Sequence, residues 1–202
     1  MANKVLMIPW LIDKELVKGI EKRELLKAKY FDYNDKRIVY DFLGYSHSLS
    51  ILESLSKREE LGEIIFFGAS AFIGDYKIGQ IVYPKKNFIF LKYEDRVSQL
   101  ESLDRRIEER VNSLFDNIKG SYSMTVDYAG YFPLEEFREI KVYSKDLFIE
   151  MEWGFIMRWA KKHNIKAYPF YILTDRWGDK VKINDEIKKK FREYYYKIVE
   201  EM

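Results

Sequence analysis

Short apolar runs of strand length alternate with longer amphipathic stretches along the whole chain, and this interleaving restricts the fold more than any other feature. Residues 5–8, 37–43, 63–67, 78–84, 88–93, 121–127, 147–150 and 167–173 read as strands. Pro169 counts against the last of these, because proline has no N–H for a ladder. The pair 78–84 and 88–93 is predicted to form a hairpin across 84–87. Helical spacing marks 46–56, 96–118, 153–163 and a final helix capped by Asn184, with Ile187, Phe191, Tyr194, Tyr195, Ile198 and Val199 as its buried stripe. The longest amphipathic pattern is 96–118, where Val97, Leu100, Leu103, Ile107, Val111, Leu114 and Ile118 recur at helical intervals. Strands and helices mixed in this way predict an α/β fold, a single domain over residues 1–202. Its mixed central sheet should carry helices on both faces.

Composition removes several classes of function. The chain has no cysteine and two histidines, His47 and His163. Thiolate catalysis, disulfides and Cys-ligated metals are therefore excluded, and a multi-histidine metal site is not expected. Lys and Arg number 35 against 33 Asp and Glu, so no basic excess calls for a nucleic-acid partner. No apolar stretch has the length of a membrane span, and the charged N-terminal segment does not read as a signal peptide. The expectation is a cytoplasmic protein with no membrane partner and no cofactor. The 16 Tyr and 14 Phe residues supply apolar area for a core, for subunit contacts or for stacking on a flat ligand.

In open α/β sheets, ligands bind beyond the carboxyl ends of strands. Glu150, Met151 and Glu152 follow one such end; Asp175 follows another. A right-handed strand–helix–strand crossover would return both exits to one edge and let Glu152 and Asp175 face a common cleft. Two carboxylates in different surroundings can divide the roles of acid and anchor. The structural alternative is that Glu152 is a first-turn helix carboxylate and Asp175 a turn residue.

The segment IEMEWGFIMRWAKKHNIKAYPFYILTD resembles a stretch of the nucleoside phosphorylase and methylthioadenosine/S-adenosylhomocysteine nucleosidase superfamily, with its Met-Glu pair, helix, strand and terminal Ser/Thr-Asp. FFGASAFIGDYKIGQIVYPKK resembles the same superfamily's glycine turn and following strand, and Asn184 onward resembles its C-terminal helix. The likeness is best over 63–92 and 120–202. It implies that Glu152 binds ribose hydroxyls, with Met151 under the sugar and Glu150 beside it. It implies that Asp175 protonates or hydrogen-bonds a purine nitrogen, and that Glu15, after the first strand, positions water. Gly68, Ala69 and Ser70 would form a base or anion turn, and Tyr128, Tyr131 and Phe132 stand where relatives supply a base-stacking aromatic. A homo-oligomer, dimer or hexamer, is implied as well.

The resemblance has departures. No arginine precedes Arg23 and none lies between 59 and 95, where phosphorylases hold phosphate. Gln80 replaces the usual Asp, and Phe72 is expected to crowd the glycine turn. These differences favour hydrolysis of a purine-type nucleoside over phosphorolysis. They leave two alternatives: a non-catalytic nucleoside-binding or assembly subunit, and a phosphorylase with an unusual phosphate site.

Overall fold

The structure is a computed structural model that describes residues 4–57, 61–91, 96–99, 102–116, 118–127, 146–180 and 182–201. Among these residues, ten strands form one mixed sheet: β1 (Lys4–Ile8), β2 (Arg23–Leu25), β3 (Ala28–Tyr33), β4 (Lys36–Tyr40), β5 (Glu63–Ile73), β6 (Ile81–Leu91), β7 (Arg96–Gln99), β8 (Lys119–Val126), β9 (Leu147–Glu150) and β10 (Lys166–Arg176). Among the described residues, the α-helices are α1 (Gly44–Ser56), α2 (Arg105–Leu114), α3 (Trp153–Lys162) and α4 (Asp185–Glu201). The class is the expected α/β. Helices cover both faces: Trp153 of α3 meets Phe66, whereas Phe191 of α4 stacks on the adjacent strand residue Phe67 at 4.7 Å.

The strand order runs β10-β6-β8-β9-β5-β1-β4-β3-β2, and β10 pairs again with β5. Five strands, β5, β10, β6, β8 and β9, thus close into a ring, and β1, β4, β3 and β2 extend from it as an open wing. β5 is the strand common to both. Its Ile64–Phe67 run is fully buried, as are Val5–Ile8 of β1 beside it. Such two-sided burial produces continuous apolar runs rather than alternation.

Several expectations require correction. Residues 78–93 do not form a hairpin: β6 is one continuous strand, with a register shift between Pro84 and Lys86 that absorbs the turn-like residues. The 96–118 pattern is not one helix. Arg96–Gln99 pairs with β6, and α2 begins only at Arg105, where the Asp104 carboxylate accepts the Arg106 N–H at 2.8 Å. The strand read at 63–67 continues to Ile73, so Gly68–Ser70 lies in mid-strand and not in a turn. Phe72 crowds nothing; it is buried against Tyr76, with the Arg176 guanidinium over its ring. Pro169 fits its strand because β6 pairs with β10 only at Tyr171 and Ile172, leaving Pro169 with a single strand neighbour. Asn184 caps α4 as expected, accepting the Ile187 N–H at 2.9 Å.

Candidate active site

The strands that deliver the two carboxylates do not form a parallel crossover. β9 runs antiparallel to β5 and β10 parallel to it, on opposite sides of that strand. The sites meet for a different reason. β1 pairs with β5 as far as Phe66, and β9 pairs with the same edge from Ala71 onward. The carboxyl ends of β1 and β9 therefore approach head-on. Among the described residues, no strand pairs with that edge of β5 at residues 67–70. Four residues of strand span about 13 Å, so the notch is long enough for a sugar and a flat ring.

Alternation decides which side chains face this notch. Along the second half of β5, Ala69, Ala71 and Ile73 are partly exposed while Ser70 and Phe72 are buried. One face is sealed and the other is open, floored by the small side chains of Ala69 and Ala71. Ile149 and Asp175 are the register partners of Ala71 on its two sides, so all three share the open face. Two strand spacings separate the outer pair, about 10 Å between their backbones. Met151 is partly exposed and packs with Ile73, Tyr122 and Trp177 on the apolar cluster of this face.

Asp175 reaches this face through a β-bulge. Leu173 pairs with Ser70, but Asp175 pairs with Ala71, so Thr174 is the extra residue. In an unbulged strand Thr174 would oppose Ala71, and Asp175 would follow Tyr171 and Leu173 onto the buried face, because a one-residue slip reverses every side chain. The Thr174 hydroxyl donates to Asp175 Oδ1 at 2.6 Å and contacts the Ser70 carbonyl at 3.3 Å. Half-burial raises the Asp175 pKa, partly opposed by the Thr174 hydrogen bond.

Glu152 closes the other end. It is buried; its Oε1 accepts the Gly44 N–H at the start of α1 at 3.0 Å, and its Oε2 accepts the Met151 N–H at 3.3 Å. Desolvation, reinforced by the neighbouring Glu150 carboxylate, pushes Glu152 up to about 8.

Glu150 does not stand beside a ligand. It pairs with Thr125 on the sealed face, and its oxygens accept hydrogen bonds from the Glu152 and Trp153 N–H groups at 2.7 and 2.6 Å and from Tyr171 Oη at 3.0 Å. The Thr125 hydroxyl and Asn87 Nδ2 donate to its other oxygen. Burial raises its pKa while these donors lower it. Its geometry is that of a support for the 151–153 turn. Gly68 has a related role: a Cβ there would lie 2.6 Å from the Tyr171 ring, so glycine admits the tyrosine that reaches Glu150. Ser70 donates to the Ile149 carbonyl at 2.6 Å, tying β9 to β5.

Glu15 lies past the β1 exit on a 3-10 turn (Lys14–Val17), exposed and 3.1 Å from the Lys18 ammonium. Sequence reading missed the buried carboxylate at the same exit. Asp13 is 3% exposed, caps that turn, and pairs with Arg192 of α4 at 2.6 Å. The signal was present as an Asp directly before the turn. It also missed the Thr174 bulge and the Asn87–Thr125–Tyr171 network. Tyr128, Tyr131 and Phe132 lie outside the described residues. Among the described residues, no three His, Cys, Asp or Glu side chains gather as a metal-ligand cluster.

The fold is shared with solved nucleosidase, hydrolase and phosphorylase structures. Among solved structures, the 5′-methylthioadenosine/S-adenosylhomocysteine nucleosidase of Campylobacter jejuni superimposes with a TM-score of 0.75 at 13% identity, covering 99% of this chain and 98% of that one. The futalosine hydrolase of Helicobacter pylori gives 0.75 at 14%, over 100% and 99%. The uridine phosphorylase of Schistosoma mansoni gives 0.74 at 13%, over 98% and 86%. No protein-family model matches the chain, and no curated protein sequence matches it. Likeness at this identity establishes the fold.

Proposed function

We propose that this protein cleaves the N-glycosidic bond of a purine-type nucleoside, with water as the nucleophile. The observation that carries the reading is the open strip of Ala69 and Ala71, with Asp175 on one flank and the Met151–Glu152 turn on the other. Structural neighbours named as nucleosidases and hydrolases share the fold around it.

Each residue has a chemical task in this reading. The sugar lies on Met151, and Glu152 binds its hydroxyls. The base extends towards Asp175 across the alanine floor, with β5 main-chain groups at Gly68, Ala69 and Ser70 along the notch. As the C–N bond breaks, its electron pair leaves with the base and the sugar gains oxocarbenium character. Protonated Asp175 transfers its proton to a ring nitrogen, so the base departs neutral. Positioned general acids contribute roughly 10²–10⁴-fold in rate. Water then adds to the anomeric carbon and gives up a proton to a carboxylate at the β1 exit. Glu15 is assigned that task, and Asp13 is the second candidate because it is buried and held in place. Water is favoured over phosphate because residues 59–95 contain no arginine and Arg192, at the β1 exit, is already paired with Asp13. Its assembly as a homo-oligomer belongs to the same proposal. Exposed Trp10 and Leu43, on the loops leaving β1 and β4, offer apolar area for subunit contact.

The test is a nucleoside panel incubated with and without phosphate, followed by chromatography for free base. Phosphate-independent base release supports the reading. Release only with phosphate, as ribose 1-phosphate, would select the phosphorylase alternative. Saturable nucleoside binding without any turnover would select the non-catalytic one.

A further inference from the structure

A second concave site lies at the opposite end of β10. Among the described residues, no strand pairs with the first residues of β10 on the side away from β5, and α2 and α3 flank this edge. The groove between them has a cavity volume of about 1040 Å³. Its rim at Lys166 is nine residues from Asp175, about 30 Å along the strand.

Three independent features of this groove point to a ligand. First, its floor and walls are apolar: Leu103, Ile107, Met157 and Ile165 line it, beside Ala167 and Tyr168. Second, its charge is one-sided. Arg106 and Lys166 line it, together with Arg110, Arg158 and Lys161, which already have partners of their own, against a single acid, Asp104, whose carboxylate caps α2. Arg106 and Lys166 are exposed and make no ion pair among the described residues. Third, Trp153 lines the groove fully buried, and its Nε1–H has no hydrogen-bond partner. A buried donor left unpaired costs about 1–3 kcal/mol, and native interiors retain few of them.

We propose that this groove binds a small organic oxyanion with an apolar body, its head accepting a hydrogen bond from Trp153 Nε1 and its charge met by the basic rim. The apolar walls take the body, and the unpaired Trp153 donor gains an acceptor. A carboxylate and a phosphate monoester share this chemistry. The inference is independent of the glycosidic reading, since neither Asp175 nor Glu152 lines the groove.

The probes are 1-naphthoate, 1-naphthyl phosphate and neutral 1-naphthylmethanol, titrated by calorimetry and by following the Trp153 indole N–H resonance, assigned through Trp153→Phe. The expected result is saturable binding of at least one anion, a downfield-shifted indole proton, and weak or absent binding of the alcohol. The tighter anion identifies the head group. Trp153→Phe should weaken binding about tenfold, the value of a hydrogen bond to a charged group. Arg106→Gln combined with Lys166→Gln, on exposed side chains, should weaken it further and flatten its salt dependence. The proposal is overturned if neither anion saturates, if the alcohol binds equally well, if binding is unchanged in both variants, or if adenosine displaces the probe.

Discussion

Asp175 carries the heaviest chemical assignment, and its surroundings make the assignment testable. Asp175→Asn should lower the rate of base release by roughly 10²–10⁴-fold while the protein stays folded by circular dichroism. The acid must be protonated to act, so activity should fall as pH rises through its elevated pKa, and this limb should vanish in the variant. The Thr174 hydroxyl lowers that pKa, so Thr174→Val should move the limb to higher pH. Glu152 gives a stability prediction. Its folded pKa of about 8 lies above the usual carboxylate value, so the folded state holds a proton that the unfolded chain releases first. The contribution of Glu152 to stability should therefore be greatest at acidic pH and decline from the unfolded glutamate range up to about 8. Glu152→Gln should flatten that decline and stabilise the protein at pH 8, on the order of a few kcal/mol, as read by denaturant unfolding at pH 5 and pH 8. These two carboxylates were legible in the sequence because each directly follows an apolar strand. The sealed position of Glu150 was not, since it depends on a tyrosine 21 residues away reaching over Gly68.

At the scale of elements, the bulge in β10 and the glycine in β5 do the positioning. Deleting Thr174 makes Asp175 the residue after Leu173, opposite Ala71 in regular register and still on the open face, so a folded deletion variant should keep base release; its loss in a folded variant would contradict the geometry. Gly68→Ala should destabilise by about 1–3 kcal/mol, because the added methyl meets the Tyr171 and Phe66 rings at 2.6 and 2.9 Å. A midpoint shift in urea measures it. Periodicity located β1, α1, β8, β9, α3, β10 and α4, where apolar spacing and tertiary burial agree. It failed where two signals compete. The β2–β3 hairpin turns through Leu26 and Lys27 at φ of 51° and 68°, a conformation usually signalled by Asn or Gly, so nothing marked it. In 96–118 the apolar spacing fits a helix, but pairing with β6 captures the first four residues and Asp104 starts the helix late.

The described residues place one long strand, β5, at the junction of a closed ring and an open wing, and the candidate site lies where, among those residues, neither part covers its edge. That failure is a property of register among β1, β5 and β9, which no local pattern encodes. The α/β class was nonetheless readable from the alternation of runs, and the likeness in fold to solved nucleosidases and a phosphorylase was readable from three short segments in the right order. No described helix is long and apolar enough to cross a membrane. Sedimentation analysis should show at least a dimer, and Leu43→Glu should weaken association if the β1 and β4 exits form the contact. The central claim is that the Ala69–Ala71 strip between Asp175 and Glu152 is a glycosidic-bond site. Chromatography of a purine nucleoside panel, run in phosphate-free buffer with the unaltered chain and Asp175→Asn side by side, tests it most directly. The account predicts free base from at least one nucleoside and near-complete loss in the variant. No base from any nucleoside, or equal release by both proteins, would contradict it.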